Sequence, residues 1–350
     1  FHFLRPWYLT PIASNWGMID DTLTITFAVT GFVFVVVNLF LAYSIYKYRY
    51  RKDRRASYEP ENKKLEWWLT AFTTIGVVAM LAPGLFVWAK YVEVPEDAML
   101  VEAVGQQWRW TYRYPGADGV LGTVDTRNVN AKNPYGLNED DPNGQDDILV
   151  SGSEIHLPVG GPVKVVLRSK DVLHDFYVPE IRAKMDLVPG MITYFWFTPI
   201  RTGGFDVLCA ELCGSGHYNM RSRMIVEEEN EFQTWLQTQP TFAQTLAGTG
   251  AASGGSLTEQ GERLARDQGC IACHSLDGSP SVGPTWKGLV GKTETLVDGS
   301  SVVVDEDYLK ESIVDPNAKV VKGYGPIMPP AQLTDDQLKA LMAYLKAASG

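Results

Sequence analysis

Cysteine is scarce in this chain, with four among 350 residues. So few cysteines cannot form the disulfide framework of a small secreted domain, and their roles must be inferred from their spacing. Positive charge is also in short supply, because 31 lysines and arginines stand against 41 aspartates and glutamates, for a net charge of −10. A nucleic-acid-binding protein needs a basic face, so this deficit argues against that class.

Two long uncharged stretches stand out in an otherwise polar chain. The mean hydropathy of −0.10 is too low for a protein that lies wholly in the membrane. Residues 23–46 and 67–89 nevertheless contain no charge over 24 and 23 residues. A membrane-spanning helix needs about 20 apolar residues. The sequence therefore predicts a transmembrane helical hairpin over residues 21–92, with spans at about 23–46 and 67–90.

The loop between these spans predicts their orientation. It carries eight lysines and arginines and three acidic residues, a local charge of 8 − 3 = +5. Short loops rich in Lys and Arg stay in the cytoplasm. The N-terminal segment 1–20 and everything after residue 92 are then extracytoplasmic, and we expect the bilayer to be a bacterial plasma (inner) membrane.

Residues 93–235 show the alternation of a β-sheet domain. Aromatic residues occupy every second position from Trp108 to Tyr114, and further short apolar runs are separated by Gly and Pro turns. This pattern predicts an all-β sandwich or barrel. Residues 115–147, rich in Gly, Asn and Asp, form a long insertion in it.

Two further segments follow the β domain. Residues 237–256 contain no charge and consist mainly of Gln, Thr, Ala, Gly and Ser, which predicts a flexible linker over 236–256. Residues 257–350 predict a small all-α domain that closes on an amphipathic helix with Thr334 as its N-cap.

The sequence CIACH in the last domain is the pattern of covalent haem attachment. The thiols of Cys270 and Cys273 add to the haem, and His274 supplies one axial nitrogen. A redox or zinc CxxC pair is disfavoured, because a βαβ context is missing and no Cys or His follows His274. Methionine remains for the second axial position. We expect Met328, in a Pro/Gly loop, to be that ligand, and Met342, on the closing helix, to belong to the core.

The sequence CAELCGSGHYNM, residues 209–220, contains a second set of soft ligands. One Cys with His and Met would suit a mononuclear copper site, whereas two Cys in one loop can bridge two coppers. A zinc site is the alternative, although it would not need Met220. The second histidine must come from upstream, where the candidates are His2, His156 and His174. His174 follows a predicted strand and is the best of these.

Residues 20–230 resemble subunit II of haem–copper oxidases, which has a two-helix hairpin and a cupredoxin-like domain with a binuclear copper A centre. The loop CAELCGSGHYNM and the upstream DVLH carry this resemblance. With its fused cytochrome c domain, the whole chain is similar to subunit II of caa-type oxidases. The resemblance implies two bridging thiolates, two terminal imidazoles, one thioether and one backbone carbonyl as copper ligands: Cys209, Cys213, His174, His217, Met220 and Glu211.

The resemblance also implies roles outside the copper ligands. The carboxylate of Glu211 would bind magnesium at the contact with subunit I, and Trp108 would face an incoming cytochrome c. Glu66 resembles the glutamate at the mouth of a proton-uptake channel, although an interfacial acid is an equal alternative. Residues 138–147 could bind calcium, but they lack EF-hand spacing, and a solvated acidic loop is the plainer interpretation.

These features predict the electron-entry subunit of a terminal oxidase. A cytochrome c or a quinol-oxidising complex would reduce the haem, and electrons would continue through copper A to subunit I, where O₂ is reduced and protons move. Five histidines are too few for an O₂ site in this chain. The linker would tether a weakly docked haem domain. The alternatives are the same subunit in a nitric oxide reductase, or a free-standing anchored electron carrier or copper-binding module.

Overall fold

A computed structural model describes residues 10–55, 58, 60–130, 133–150, 153–247 and 256–350. The chain divides into two compact units. The first contains the chain up to Pro95 together with Glu180–Arg182, and the second contains Glu96–Pro179 and Ala183–Gly350.

The first unit contains two long apolar helices, α1 (Gly17–Tyr48) and α2 (Lys63–Val92). They have 32 and 30 residues, so at about 1.5 Å per residue each is long enough to cross a bilayer. Neither helix buries a residue, and large apolar side chains such as Phe32 are exposed on both. The prediction of two apolar N-terminal helices is confirmed, and both helices extend beyond the predicted spans.

Contacts inside this unit fix the start of α1. The carboxylate of Asp20 accepts a hydrogen bond from the Arg182 guanidinium at 2.9 Å, and the amide of Ala13 donates to the carbonyl of Glu180 at 2.8 Å. The Trp16 ring packs against Tyr91 at the end of α2, with ring centroids 5.3 Å apart. The ring contact joins the start of α1 to the end of α2.

The second unit begins with a β-sandwich, as the alternating pattern predicts. The strand Val163–Ser169 shows the cause, since Val163, Val165 and Leu167 are fully buried while the residues between them are not. One five-stranded sheet has the order β3-β2-β1-β5-β8: β1 is Met99–Gln106, β2 Arg109–Tyr114, β3 Ile148–Leu149, β5 Val163–Ser169 and β8 Thr193–Phe197.

The other sheet has the order β4-β10-β9-β6-β7. Strands β1 and β5 are parallel, as are β4 and β10, and the other pairs are antiparallel. This mixed pairing gives two sheets that share one core. The strands are β4 Glu154–Pro158, β6 His174–Val178, β7 Ala183–Leu187, β9 Gly203–Cys209 and β10 Arg221–Glu227.

The insertion 115–147 is anchored to the sandwich by buried charges. Arg113 on β2 donates to Glu102 at 2.9 Å and to Asp147, the last insertion residue, at 2.5 Å. All three side chains are buried, so each charge depends on the others for compensation. The insertion also contributes the buried side chains Tyr135 and Leu137 to a small core.

The predicted linker is partly ordered, which corrects the sequence interpretation. After a short helix, α4 (Glu229–Leu236), the chain forms another, α5 (Phe242–Leu246), within the stretch assigned to the linker. Phe242 is fully buried, and its amide donates to the carbonyl of Asp147 at 2.8 Å. The Leu149 amide also donates to the carbonyl of Pro240 at 2.9 Å, and the polar composition of the segment concealed these contacts. Residues 248–255 of the predicted linker lie outside the described residues.

The C-terminal domain is helical, as predicted, with a small hairpin that was not predicted. The closing helix is capped by Thr334, whose hydroxyl accepts from the Gln337 amide at 3.3 Å. The first helix lies against it, and a side chain at Gly261 would overlap the backbone of Ala340. The elements are α6 Leu257–Asp267, β11 Thr293–Thr295, β12 Ser301–Val303, α7 Glu306–Val314 and α8 Asp335–Ser349.

We predict that Phe242→Ala destabilises the sandwich by about 3–5 kcal/mol, because removing a fully buried phenyl ring leaves a cavity. Hydrogen exchange of the β1 and β2 amides in the detergent-solubilised chain measures this change. Ala243→Ser, on the exposed side of the same helix, is the control and should leave exchange unchanged. If the β1 and β2 amides exchange at the same rate in both variants, Phe242 does not stabilise the sandwich, and the segment is only a linker.

Candidate metal and haem sites

The candidate copper ligands meet at one end of the sandwich because two neighbouring strands begin and end there. His174 is the first residue of β6 and Cys209 the last of β9. These strands are antiparallel, with Phe176 opposite Cys209. The loop from Cys209 to Met220 then returns the chain to β10 and brings the remaining ligands to the same place.

The sulfur and nitrogen atoms of the candidate copper ligands lie within a few ångströms of one another. The Sγ atoms of Cys209 and Cys213 are 3.7 Å apart. His174 Nδ1 is 3.9 Å from Cys209 Sγ, and His217 Nδ1 is 3.5 Å from Cys213 Sγ. Met220 Sδ is 3.8 Å from Cys213 Sγ. Each sulfur therefore has one imidazole beside it, a symmetrical arrangement of soft donors.

The donor set fits a pair of coppers. His174, Cys213 and Met220 are buried, and thiolate, thioether and imidazole are ligands that copper prefers. The contact between the two thiols lowers the pKa of Cys209 and raises that of Cys213, since one proton serves two sulfurs. Cys209 Sγ also lies 3.2 Å from the carbonyl oxygen of Glu211, the atom that the family resemblance implies as a ligand.

Asp171 orients His174, a role that the sequence analysis missed. Its carboxylate lies 2.8 Å from Nε2 of the imidazole, which leaves Nδ1 directed toward Cys209. Carboxylates in this outer position fix the ring and raise its basicity as a ligand. The signal was present in the sequence, since Asp171 lies only three residues before His174 in DVLH.

Trp108 covers the copper loop. Its indole Nε1 donates to the carbonyl of Cys213 at 3.1 Å, and the side-chain amide of Gln107 donates to the same oxygen at 2.7 Å. A side chain at Gly214 or Gly216 would collide with the indole ring, so glycine at both positions permits the close packing. Trp108 is thus buried against the loop, and Gln107 is a second residue that the sequence analysis missed.

The haem-attachment motif lies in a tight turn of the cytochrome domain. Cys270 begins a 3-10 turn, Cys270–Ala272, and Cys273 follows it. His274 Nδ1 is 2.7 Å from the carbonyl of Pro284; this hydrogen bond places the proton on Nδ1 and leaves the Nε2 lone pair available to a metal. The imidazole also stacks on Trp286, with centroids 5.2 Å apart.

A cavity of about 350 Å³ opens beside this motif. Cys270, Cys273 and His274 lie on its wall together with Met328, while Met342 is buried in the helical core. A mostly apolar cavity with two thiols, an imidazole and a thioether fits a covalently attached haem. Of the two methionines, Met328 therefore lines the cavity, and its role as a haem ligand stays a prediction.

The cupredoxin-like domain forms part of the same cavity wall. Trp108 and Arg109 line it, and the Arg109 guanidinium donates to the carbonyl of Asp267 at 3.1 Å. The side-chain amide of Asn219, in the copper loop, donates to the carbonyl of Ala272 in the haem motif. Trp108 therefore contacts the copper loop through its indole and also belongs to the wall of the haem cavity.

The other sequence candidates lie elsewhere. His156 pairs with Glu227 at 2.8 Å and stacks on Trp235, as a structural strand-edge histidine would. His2 lies outside the described residues. Glu66, in the first turn of α2, accepts a hydrogen bond from the Asn62 amide at 3.4 Å.

Two apolar helices, a cupredoxin-like sandwich with a two-cysteine loop and a CxxCH helical domain define a membrane-anchored electron-transfer protein. The model of the cytochrome c oxidase subunit II periplasmic domain matches residues 99–228, and that of cytochrome c matches residues 258–349. The chain belongs to the cytochrome c oxidase subunit 2 family. It is a subunit of a haem–copper oxidase that functions with subunit I, and its two domains carry copper A and haem c.

The chain is similar to several cytochrome c oxidase subunits II over different lengths, and the first of these relatives shows the family membership. The alternative cytochrome c oxidase subunit 2 of Bradyrhizobium diazoefficiens is 62% identical over 69% of this chain and 88% of its own length. Cytochrome c oxidase subunit 2 of Alkalihalophilus pseudofirmus is 25% identical over 97% of this chain and 90% of its own. A crystal structure of the periplasmic domain of subunit II from Bradyrhizobium japonicum is 30% identical, covers 42% of this chain and 96% of that chain, and has a TM-score of 0.31.

We predict that Asp171→Asn lowers the affinity for copper about 10-fold to 100-fold, because the amide does not hold the imidazole of His174 as the carboxylate does. Titration with a copper chelator, followed by the absorption of the copper centre, measures the change. Asp206→Asn on the outer side of β9 is the matched control. Equal chelator resistance in the native chain and both variants would contradict the orienting role of Asp171.

Proposed function

We propose that this chain is the electron-entry subunit of its oxidase, with haem c as the entry point and copper A as the exit toward subunit I. One observation carries the proposal: Trp108 lies on the wall of the haem cavity and donates a hydrogen bond to the backbone of a candidate copper ligand, Cys213. When bound, the haem and the copper pair each exchange single electrons without a change in chemical bonding.

For copper, we propose Cys209 and Cys213 as bridging ligands and one histidine at each end, His174 and His217. The sulfur–nitrogen distances of 3.9 and 3.5 Å support this pairing. Two weaker ligands complete the set, the thioether of Met220 and the carbonyl oxygen of Glu211. The hydrogen bonds from Gln107 and Trp108 to the Cys213 carbonyl hold this loop against the sandwich and would keep these donors in place when copper is bound.

For haem, we propose Cys270 and Cys273 as the attachment sites, His274 as one axial ligand and Met328 as the other. The hydrogen bond from His274 to Pro284 holds the ring in one orientation. Gly283 permits this arrangement, since a side chain there would crowd the imidazole.

Further assignments concern the partners of the complex. We propose that the Glu211 carboxylate binds magnesium at the contact with subunit I, and that Glu66 lies at the mouth of a proton-uptake channel. A cytochrome c or a quinol-oxidising complex is the proposed donor, and further oxidase subunits accompany subunit I. Calcium is not proposed for the acidic insertion, because carboxylates such as Asp141 and Asp147 accept hydrogen bonds from their own protein surroundings.

The proposed placement is a bacterial plasma membrane with both termini and both redox domains on the periplasmic side. We retain the predicted hairpin over 21–92, the copper domain over 93–235 and the cytochrome domain over 257–350, with a tether between the last two. Family membership favours the oxidase over the nitric oxide reductase and over a free-standing carrier.

We predict that the part of the chain from Val94 onward binds two coppers and one covalent haem, because it contains both donor sets. Metal analysis and electron paramagnetic resonance test this, with Cys213→Ser expected to abolish the binuclear signal while leaving the haem attached. A zinc stoichiometry, or the spectrum of a single blue copper in the native chain, would contradict the assignment.

We predict that Met328→Ala keeps the haem attached, lowers its reduction potential and opens a site for carbon monoxide. Attachment depends on the two thiols, whereas the sixth bond depends on the thioether, which favours reduced iron. Met342→Leu, a volume-conserving change in the core, is the control and should bind no carbon monoxide. If the potential and carbon monoxide binding of Met328→Ala match the native chain, Met328 is not a ligand.

A further inference from the structure

The haem-attachment turn packs against the end of the cupredoxin-like domain that carries the candidate copper ligands. The side-chain amide of Asn219, in the copper loop (residues 209–220), donates to the carbonyl of Ala272, inside the CIACH motif. Gly269, directly before this motif, lies beside the backbone of Trp108, where a Cβ would be 3.4 Å from the carbonyl oxygen. The cysteines that would hold the haem therefore lie at the contact with the copper loop.

The cytochrome domain leaves two carbonyl groups at this contact without an amide donor of its own. Asp267 is the last residue of α6, and carbonyls in the last turn of a helix have no partner within that helix. Among the backbone hydrogen bonds of the described residues, no amide donates to the carbonyl of Asp267 or of Ala272. Their donors are two side chains of the cupredoxin-like domain, Arg109 at 3.1 Å from the Asp267 oxygen and Asn219 at the Ala272 oxygen.

Backbone hydrogen bonds hold Asn219 in place. It ends a 3-10 turn, His217–Asn219, in which its amide donates to the carbonyl of Gly216 at 3.0 Å. The Met220 amide donates to the carbonyl of His217 at 3.2 Å. Because this turn runs from one candidate copper ligand to the next, a loop that holds copper would also hold the Asn219 side chain in position for the haem-attachment turn.

The contact joins the two candidate ligand segments directly. Ala272 is bonded to Cys273, a candidate haem-attachment residue, and Asn219 is bonded to Met220, a candidate copper ligand. A single hydrogen bond connects the two segments. Electron transfer needs its two centres close together, so the arrangement that this hydrogen bond stabilises is the one suited to transfer.

We propose that Asn219 positions the haem-attachment turn on the copper loop, and that its hydrogen bond to Ala272 sets the fraction of the chain in which haem and copper exchange electrons. Arg109 is the second anchor of the same contact. Since both domains belong to one chain, a few weak contacts suffice to populate the docked arrangement. Each transfer oxidises the haem iron by one electron and reduces the copper pair by one, with no bond formed or broken. This inference rests on the haem and copper sites of the proposed function.

The test uses the full chain in its oxidase complex. Flash-induced transfer gives the haem-to-copper rate, and the relaxation of the copper electron paramagnetic resonance signal by oxidised haem iron gives the docked fraction without any electron transfer. Asn219→Ala should lower both the rate and the relaxation about twofold to tenfold, the equilibrium ratio of one hydrogen bond. Asn219→Asp keeps the shape of the side chain but presents an acceptor to the Ala272 carbonyl, and it should lower both at least as much.

Matched controls separate docking from a general change in the loop or the surface. Tyr218→Phe alters the neighbouring residue of the same turn, whose side chain is exposed. Asn230→Ala removes the same side chain as Asn219→Ala from the exposed surface of α4. Both controls should keep the native rate and relaxation. The copper and haem absorption spectra verify that each variant holds both cofactors.

A native rate and native relaxation in both Asn219 variants would overturn the inference. Slower transfer with native relaxation would overturn it as well, because Asn219 would then not control docking. A native full chain without the copper and haem signals would instead overturn the proposed function, so the two failures are distinguishable. Loss of both rate and relaxation in the two Asn219 variants, with native values in both controls, would establish the positioning role.

Discussion

The carbonyl oxygen of Cys213 holds the copper loop against the turn that also lines the haem cavity. It accepts hydrogen bonds from Gln107 at 2.7 Å and from Trp108 at 3.1 Å. Each bond contributes only about 0.5–1.5 kcal/mol net, but together they fix the copper loop to the turn between β1 and β2. Gly214 and Gly216 make this possible, because any side chain would hold the indole away.

That same turn carries the residues that face the cytochrome domain. Trp108 and Arg109 are adjacent, so one backbone segment determines both the support of the copper loop and the wall of the haem cavity. The buried Arg113–Glu102–Asp147 group lies further along the same hairpin and anchors the insertion. The cupredoxin-like domain thus prepares a rigid surface against which a haem domain docks.

Short-range patterns could be predicted from the sequence, and contacts between distant segments could not. Both candidate ligand sets could be predicted because their spacing within a loop or turn is typical of the chemistry, and His174 was predicted from its place after a strand. Phe242 was missed because one buried ring cannot outweigh a polar, Gly-rich composition. The contact from Asn219 to Ala272 joins residues 53 positions apart, and nothing in either segment indicates its partner.

The central claim is that haem and copper sites exchange electrons in the docked arrangement, across Trp108. The most direct test is the rate of haem-to-copper transfer after flash excitation, measured in the intact complex at increasing glycerol viscosity. A docked pair predicts a first-order rate that does not depend on viscosity or on the concentration of the complex. A rate that falls in proportion to viscosity would show that the haem domain must first diffuse to the copper loop, and would contradict this account.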